Sequence, residues 1–207
     1  MEEKKMTERE SLELITEMIS RTKERYVADG SALLLWGYVT VAVSVLVWVL
    51  LVTTGNPAYN WLWNLIWIIG CIGSFIMSRR KKENFGAKSY SDKLTSQLWT
   101  VVAYVALVFF VCCMVFTFLK INTWTAMLVF ALTVVPLTEI AQGIVVKERS
   151  LVVGGAIGML VGIVTVCCIC GGIGLGINWF IPMFIVAFIG MTIVPGHILN
   201  HKARVNR

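Results

Sequence analysis

Charge is scarce in this sequence. Only 14 % of its 207 residues are Asp, Glu, Lys or Arg, while 57 % are hydrophobic. A water-soluble domain of that length cannot bury so much apolar surface, which excludes the soluble classes. Histidine is rarer still, with His197 and His201 the two present. They stand four residues apart on one predicted helix, so they cannot clamp a haem between them, and they lack a third ligand for a metal. Signatures of membrane enzymes are missing as well: there is no Walker loop, no paired glutamates on one span, and no Gly-x-Ser motif with a histidine partner in the membrane. The expectation is a non-enzymatic protein without a cofactor. Ten-residue segments of alternating hydrophobicity are absent, which argues against a lipid-facing β-barrel. The first 30 residues hold eight acidic groups and no apolar core. A secretory signal is therefore not expected, and the first apolar run would serve as its own uncleaved insertion signal. No cysteine falls in a predicted external loop. Cys71, Cys112, Cys113, Cys167, Cys168 and Cys170 all lie within apolar runs, so a structural disulfide framework is not indicated.

What is abundant is long apolar sequence. Six runs, at about 31–52, 61–77, 98–119, 124–146, 151–173 and 179–199, approach or exceed the roughly 20 residues that span a hydrocarbon core of ~30 Å. Backbone polar groups have no water to bond there, so continuous apolar runs read as helices. The fold expected is an all-α integral membrane bundle of six helices spanning the lipid bilayer. It is preceded by a cytosolic or interfacial helix over 1–30 and followed by a basic tail, 200–207. The 18 Lys and Arg residues fix an orientation. Six precede residue 31, six lie between Arg79 and Lys93, two are Lys147 and Arg149, three follow His201, and Lys120 is the remaining one. By the positive-inside rule both termini and both basic loops are cytoplasmic, which in a bacterial host means the inner membrane. This pattern explains the basic charge without a nucleic-acid partner.

The connections suggest a repeat. Spans 1–2, 3–4 and 5–6 form three hairpins of one orientation, and each outer turn delivers Asn and then Trp: Asn60-Trp61, Asn122-Thr123-Trp124, Asn178-Trp179. Spans 4 and 6 share a further echo, Val135-Pro136-Leu137-Thr138-Glu139 against Val194-Pro195-Gly196-His197. The inverted repeat common in secondary transporters is not visible.

Span 4 carries the most chemistry. Glu139 lies eight residues before Lys147, roughly 12 Å along a helix from the cytoplasmic turn, too deep for a short carboxylate to snorkel. A charged group inside a span is costly and marks a functional candidate. Pro136 cannot donate to the carbonyl of Leu132, so a polar backbone group is freed one turn away. Thr138 and Gln142 are i,i+4 neighbours in the same stretch. Two readings stay open. Glu139 is a proton-accepting or cation-binding site reached from the inside, or it is a carboxyl that hydrogen-bonds another helix and sets register. Pro195 is expected to kink span 6 just before His197, and a Glu139–His197 pair across the repeat-related helices is the specific expectation. His197 and His201 are weak metal candidates, and the cysteine clusters read more readily as small hydrophobes than as redox or soft-metal groups.

Gly154, Gly158 and Gly162 recur every four residues and form a flat helix-packing face. That face packs inside the chain or forms a homo-oligomer through span 5. At the N-terminus, Thr7 and Glu10 have the form of a capping box. Leu12, Ile15 and Ile19, with Met18 beside them, share one helical face, and Glu17 and Arg21 form a favourable i,i+4 pair. Such a helix lies on the headgroups or docks a cytosolic protein through residues 7–26. The head Glu10-Ser11-Leu12-Glu13-Leu14-Ile15 and the tail Ile193-Val194-Pro195-Gly196-His197-Ile198-Leu199 resemble an uncharacterised family of small multi-pass bacterial membrane proteins. The resemblance covers most of the chain and implies no activity. The leading functional expectation is therefore a regulatory or accessory subunit acting through interaction, and the alternative is a small transporter or proton-coupled carrier centred on Glu139.

Overall fold

A computed structural model of the chain describes Arg9 and residues 11–17, 30–84 and 90–205. Among these residues there is no strand, and six helices are long and apolar enough to cross a membrane. The protein is a multi-pass helical membrane protein.

The first span, α1, is Gly30–Thr54. It ends where Gly55 takes a left-handed conformation (φ +66°) that suits glycine. Asn56 then caps a 3₁₀ turn over Pro57–Trp63 by accepting from the Ala58 N–H at 2.9 Å. Pro57 opens that turn, where a missing donor costs nothing. The second span therefore begins as a tight turn and becomes the α-helix α2 only at Asn64–Asn84. The third helix, α3, is Tyr90–Phe118 and starts eight residues ahead of the apolar run at 98, because polar residues continue the helix out of the membrane segment. The fourth helix, α4 (Trp124–Val146), coincides with its apolar run. The fifth, α5 (Arg149–Cys170), stops three residues short of the run's end at Gly171-Gly172. The sixth span is composite: α6 (Ile177–Phe188), a π turn over Ile189–Ile193, and α7 (Val194–Val205). The π turn was not expected. Its wider loop lets the Val194 N–H bond the Ile189 carbonyl just before Pro195, which has no N–H to give.

The proposed capping box at Thr7–Glu10, the apolar residues Met18 and Ile19 and the Arg21 partner of Glu17 lie outside the described residues, as do Asn206 and Arg207 of the tail.

Packing is uneven. α4 and α5 form the most extensive contact, and α1 packs on both α2 and the sixth span. The core joins α1 (Val43, Val47), the 3₁₀ turn (Trp63), α4 (Leu128, Leu132) and the sixth span (Phe184, Phe188, Met191). α2 and α3 lie at the periphery, with 11 % of their apolar windows buried against 28–39 % for the other four spans. They meet through rings: Trp67 is 5.6 Å from Phe110, and α3 stacks Phe109 on Phe130 of α4 at 4.4 Å. Two tight turns use lysine in the left-handed region, Lys120 (φ 68°) and Lys147 (φ 60°). At the second, the Glu148 N–H bonds the Gly143 carbonyl at 2.9 Å and closes the helix end.

Candidate functional site

α5 presents its glycines inward. Gly154, Gly158 and Gly162 are all buried, and each abuts a neighbouring helix. A Cβ at Gly154 would lie 2.6 Å from Pro195 Cγ and 3.1 Å from the Met191 carbonyl oxygen. One at Gly158 would run into Met191 Sδ and come within 3.0 Å of Pro136 Cγ, and one at Gly162 would overlap the Leu132 carbonyl. These neighbours follow a rule. Proline cannot donate to the carbonyl four residues back, so Pro136 strips Leu132 of its usual partner and Pro195 does the same to Met191. Both stripped carbonyls lie against glycine Cα atoms of α5, where short C–H···O contacts are available. The Val-Pro echo of spans 4 and 6 is thus one device, used from two sides against one helix. The glycine face is filled within the chain, and the outward face of α5 carries Val153, Ile157 and Leu160.

Glu139 lies one turn beyond Pro136, on the buried face formed by Leu132, Pro136 and Gly143. Its exposure is 0 %. Among the described residues, neither carboxyl oxygen has a hydrogen-bond partner. The hydroxyls of the same core behave differently. Ser44 donates to the Thr40 carbonyl at 2.6 Å, and Thr192 to Phe188 at 2.6 Å, so each is satisfied by its own helix. Glu139 has no such outlet. An isolated charge in low dielectric costs several kcal/mol, so the carboxylate form calls for a proton or a cation. The hydrogen bond to another helix that the register reading of Glu139 calls for is not seen among the described residues. Among the described residues two other buried polar atoms also lack a partner, Trp48 Nε1 and Thr95 Oγ1, but neither belongs to an ionisable group.

The other candidates turn elsewhere. Thr138 donates to the Val134 carbonyl at 2.8 Å. Gln142 accepts from Trp99 Nε1 at 2.7 Å and so ties α4 to α3. His197 Nε2 hydrogen-bonds the Tyr38 hydroxyl at 2.6 Å on an exposed face. The expected Glu139–His197 pair is therefore not made, because His197 points out of the bundle while Glu139 is sealed inside it. His201 is exposed, and among the described residues no group of three His, Cys, Asp or Glu is placed to hold a metal. The described cysteines are all free, and Cys113 is the buried one. A shallow groove of about 480 Å³ on α3 is lined by Trp99, Thr100 and Tyr104.

Three contacts between distant elements went unread in the sequence. Tyr38 is the partner of His197; its signal was a phenol set in an apolar run. Trp99 is the partner of Gln142. Lys202 pairs with Glu148, which also accepts from Ser150 Oγ at 3.3 Å. Pairings between distant helices leave no mark in a single sequence.

At the N-terminus, residues 11–17 are helical. Leu12, Leu14 and Ile15 are exposed there, and Arg9 faces Glu13 at 3.7 Å. The chain matches no protein-family model, no curated protein and no solved structure.

Proposed function

We propose that this protein is a small proton-coupled carrier of a bacterial cytoplasmic membrane, seen in an occluded state, with Glu139 as its proton-binding group. One observation carries the reading: a fully buried carboxyl with no partner among the described residues, one turn from the proline that α4 sets against the glycines of α5. A fold gains nothing from such a group, whereas transport sites at mid-membrane are commonly built from interrupted helices with freed carbonyls. The charge pattern supports three same-direction hairpins with both termini and the Lys147–Arg149 turn inside, which sets Glu139 nearer the cytoplasm. In this reading Glu139 takes its proton from that side, and Thr138, Gln142 and His197 shape the surrounding helices. Potential-driven proton uptake by proteoliposomes tests it. The wild-type protein takes up protons faster than protein-free vesicles, and Glu139→Gln abolishes the difference.

A second reading has its own observation. The exposed Leu12, Leu14 and Ile15 suit a regulatory or accessory subunit that docks a cytosolic protein through residues 7–26. Deleting residues 1–26 then removes a co-purifying partner. An unchanged set of co-purifying proteins sinks that reading and leaves the first untouched.

A further inference from the structure

We propose that α7 is a cytoplasmic gate over Glu139, hinged at the π turn and Pro195 and latched by two contacts, Lys202–Glu148 and His197–Tyr38. The proposal rests on the reading that Glu139 exchanges its proton with the cytoplasm.

The hinge is built into the backbone. Over Ile189–Ile193 the helix widens, and the Val194 N–H reaches back five residues to Ile189. Pro195 then contributes no donor, so the Gly190 and Met191 carbonyls both lose their usual helical partner. Both lie near Gly154 of α5, whose Cβ position is 3.3 Å from the Gly190 oxygen and 3.1 Å from that of Met191. Two consecutive carbonyls without regular bonds make a soft point, and π turns recur at working positions in helices.

On the cytoplasmic side of that point, α7 is a short amphipathic helix packed on α1 and α5. Pro195, Gly196 and Leu199 are buried, and Leu151 of α5 is fully covered. α7 also packs closely on the start of α1, where a Cβ at Gly30 would come within 2.8 Å of the Gly196 carbonyl. The exposed side of α7 carries the latches. Lys202 donates to Glu148 in the turn between α4 and α5, and that carboxylate is held by Ser150 as well. His197 bonds Tyr38 of α1 at 2.6 Å, with the rings edge-on at 5.9 Å. The two latches tie α7 to α1 and to the turn between α4 and α5. The contacts of Gly143 with Leu151 and of Gly158 with Pro136 set Glu139 level with Gly154 and Gly155, and Pro195 at the start of α7 lies against Gly154. Loss of either latch loosens α7, which then swings on its hinge and carries Leu199 out of its buried position.

The experiment reads access to Glu139 rather than transport. Purified protein in liposomes reacts with a water-soluble carbodiimide and ethanolamine, and amide formation at Glu139 is followed by peptide mass spectrometry. Labelling of Glu139 is slow in the wild type, rises severalfold in Glu148→Lys and in Lys202→Glu, and returns to the wild-type rate in the charge-swapped double variant. Wild-type labelling rates in both single variants, or a double variant that stays fast, overturn the latch. Should the charge variants not fold, a Glu148→Cys/Lys202→Cys protein carries the test. With the bridge oxidised, labelling falls below that of the same protein reduced, and equal rates overturn the gate. Because flux is not read, a working gate in a protein that moves no protons would defeat the carrier reading alone. Proton uptake without any latch effect would defeat the gate alone.

Discussion

At the scale of the residue, Glu139 is anomalous. The buried hydroxyls of Ser44 and Thr192 are satisfied on their own helices, and its carboxyl is not. A buried polar group left without a partner costs stability. Glu139→Met, which keeps the length and removes the polar atoms, is therefore expected to raise the melting temperature in detergent, by the equivalent of about 1–3 kcal/mol for an unsatisfied buried group. A melting temperature lowered by that variant would restore the structural reading. That Glu139 stands out is legible from sequence, since a carboxylate in a long apolar run needs no partner to be noticed. What surrounds it is not legible. Thr138 and Gln142 share its helix and its neighbourhood in the chain, yet one bonds its own backbone and the other turns to Trp99 of α3. Helical spacing says which residues share a face, but which face is covered, and by what, is decided by the other five spans.

At the scale of the element, α5 is the keel. Its glycines receive the prolines of α4 and of the sixth span together with the carbonyls those prolines expose. Gly158→Leu puts a side chain where Pro136 and Met191 already stand. The expected result is loss of the folded protein, seen as aggregation or early melting on size exclusion and thermal scans, at a cost of several kcal/mol. Gly→Leu on an oligomer face would instead give a folded monomer. The six helices themselves were readable because lipid leaves a long apolar run few alternatives. Their ends were less so. The 3₁₀ entry into the second span is set by Asn56 and Pro57, and the start of α3 by polar residues that helix propensity alone does not delimit. The π turn before Pro195 is the clearest case. Sequence marks the proline, but whether a helix kinks, breaks or widens there depends on what packs beside it, here Gly154.

At the scale of the whole molecule, four spans form a tight bundle and two stand at its edge. The unequal burial fits a carrier in which the sixth span moves against α5 and α1 while α2 and α3 face lipid. The proposed orientation rests on charge alone and has a direct check. Reporter fusions after Asn84, after Glu148 and at the C-terminus are expected to read cytoplasmic, and fusions after Gly55, Lys120 and Gly174 to read external. A cytoplasmic signal from any outer turn would break the three-hairpin topology and with it the placement of Glu139 nearer the inside. The core claim stands on that carboxyl, and proton uptake into liposomes under an imposed potassium diffusion potential tests it most directly. The protein-dependent uptake should be present in the wild type and fall to the protein-free rate in Glu139→Gln, with both proteins melting alike; equal uptake by the two proteins would contradict a role for Glu139 in moving protons.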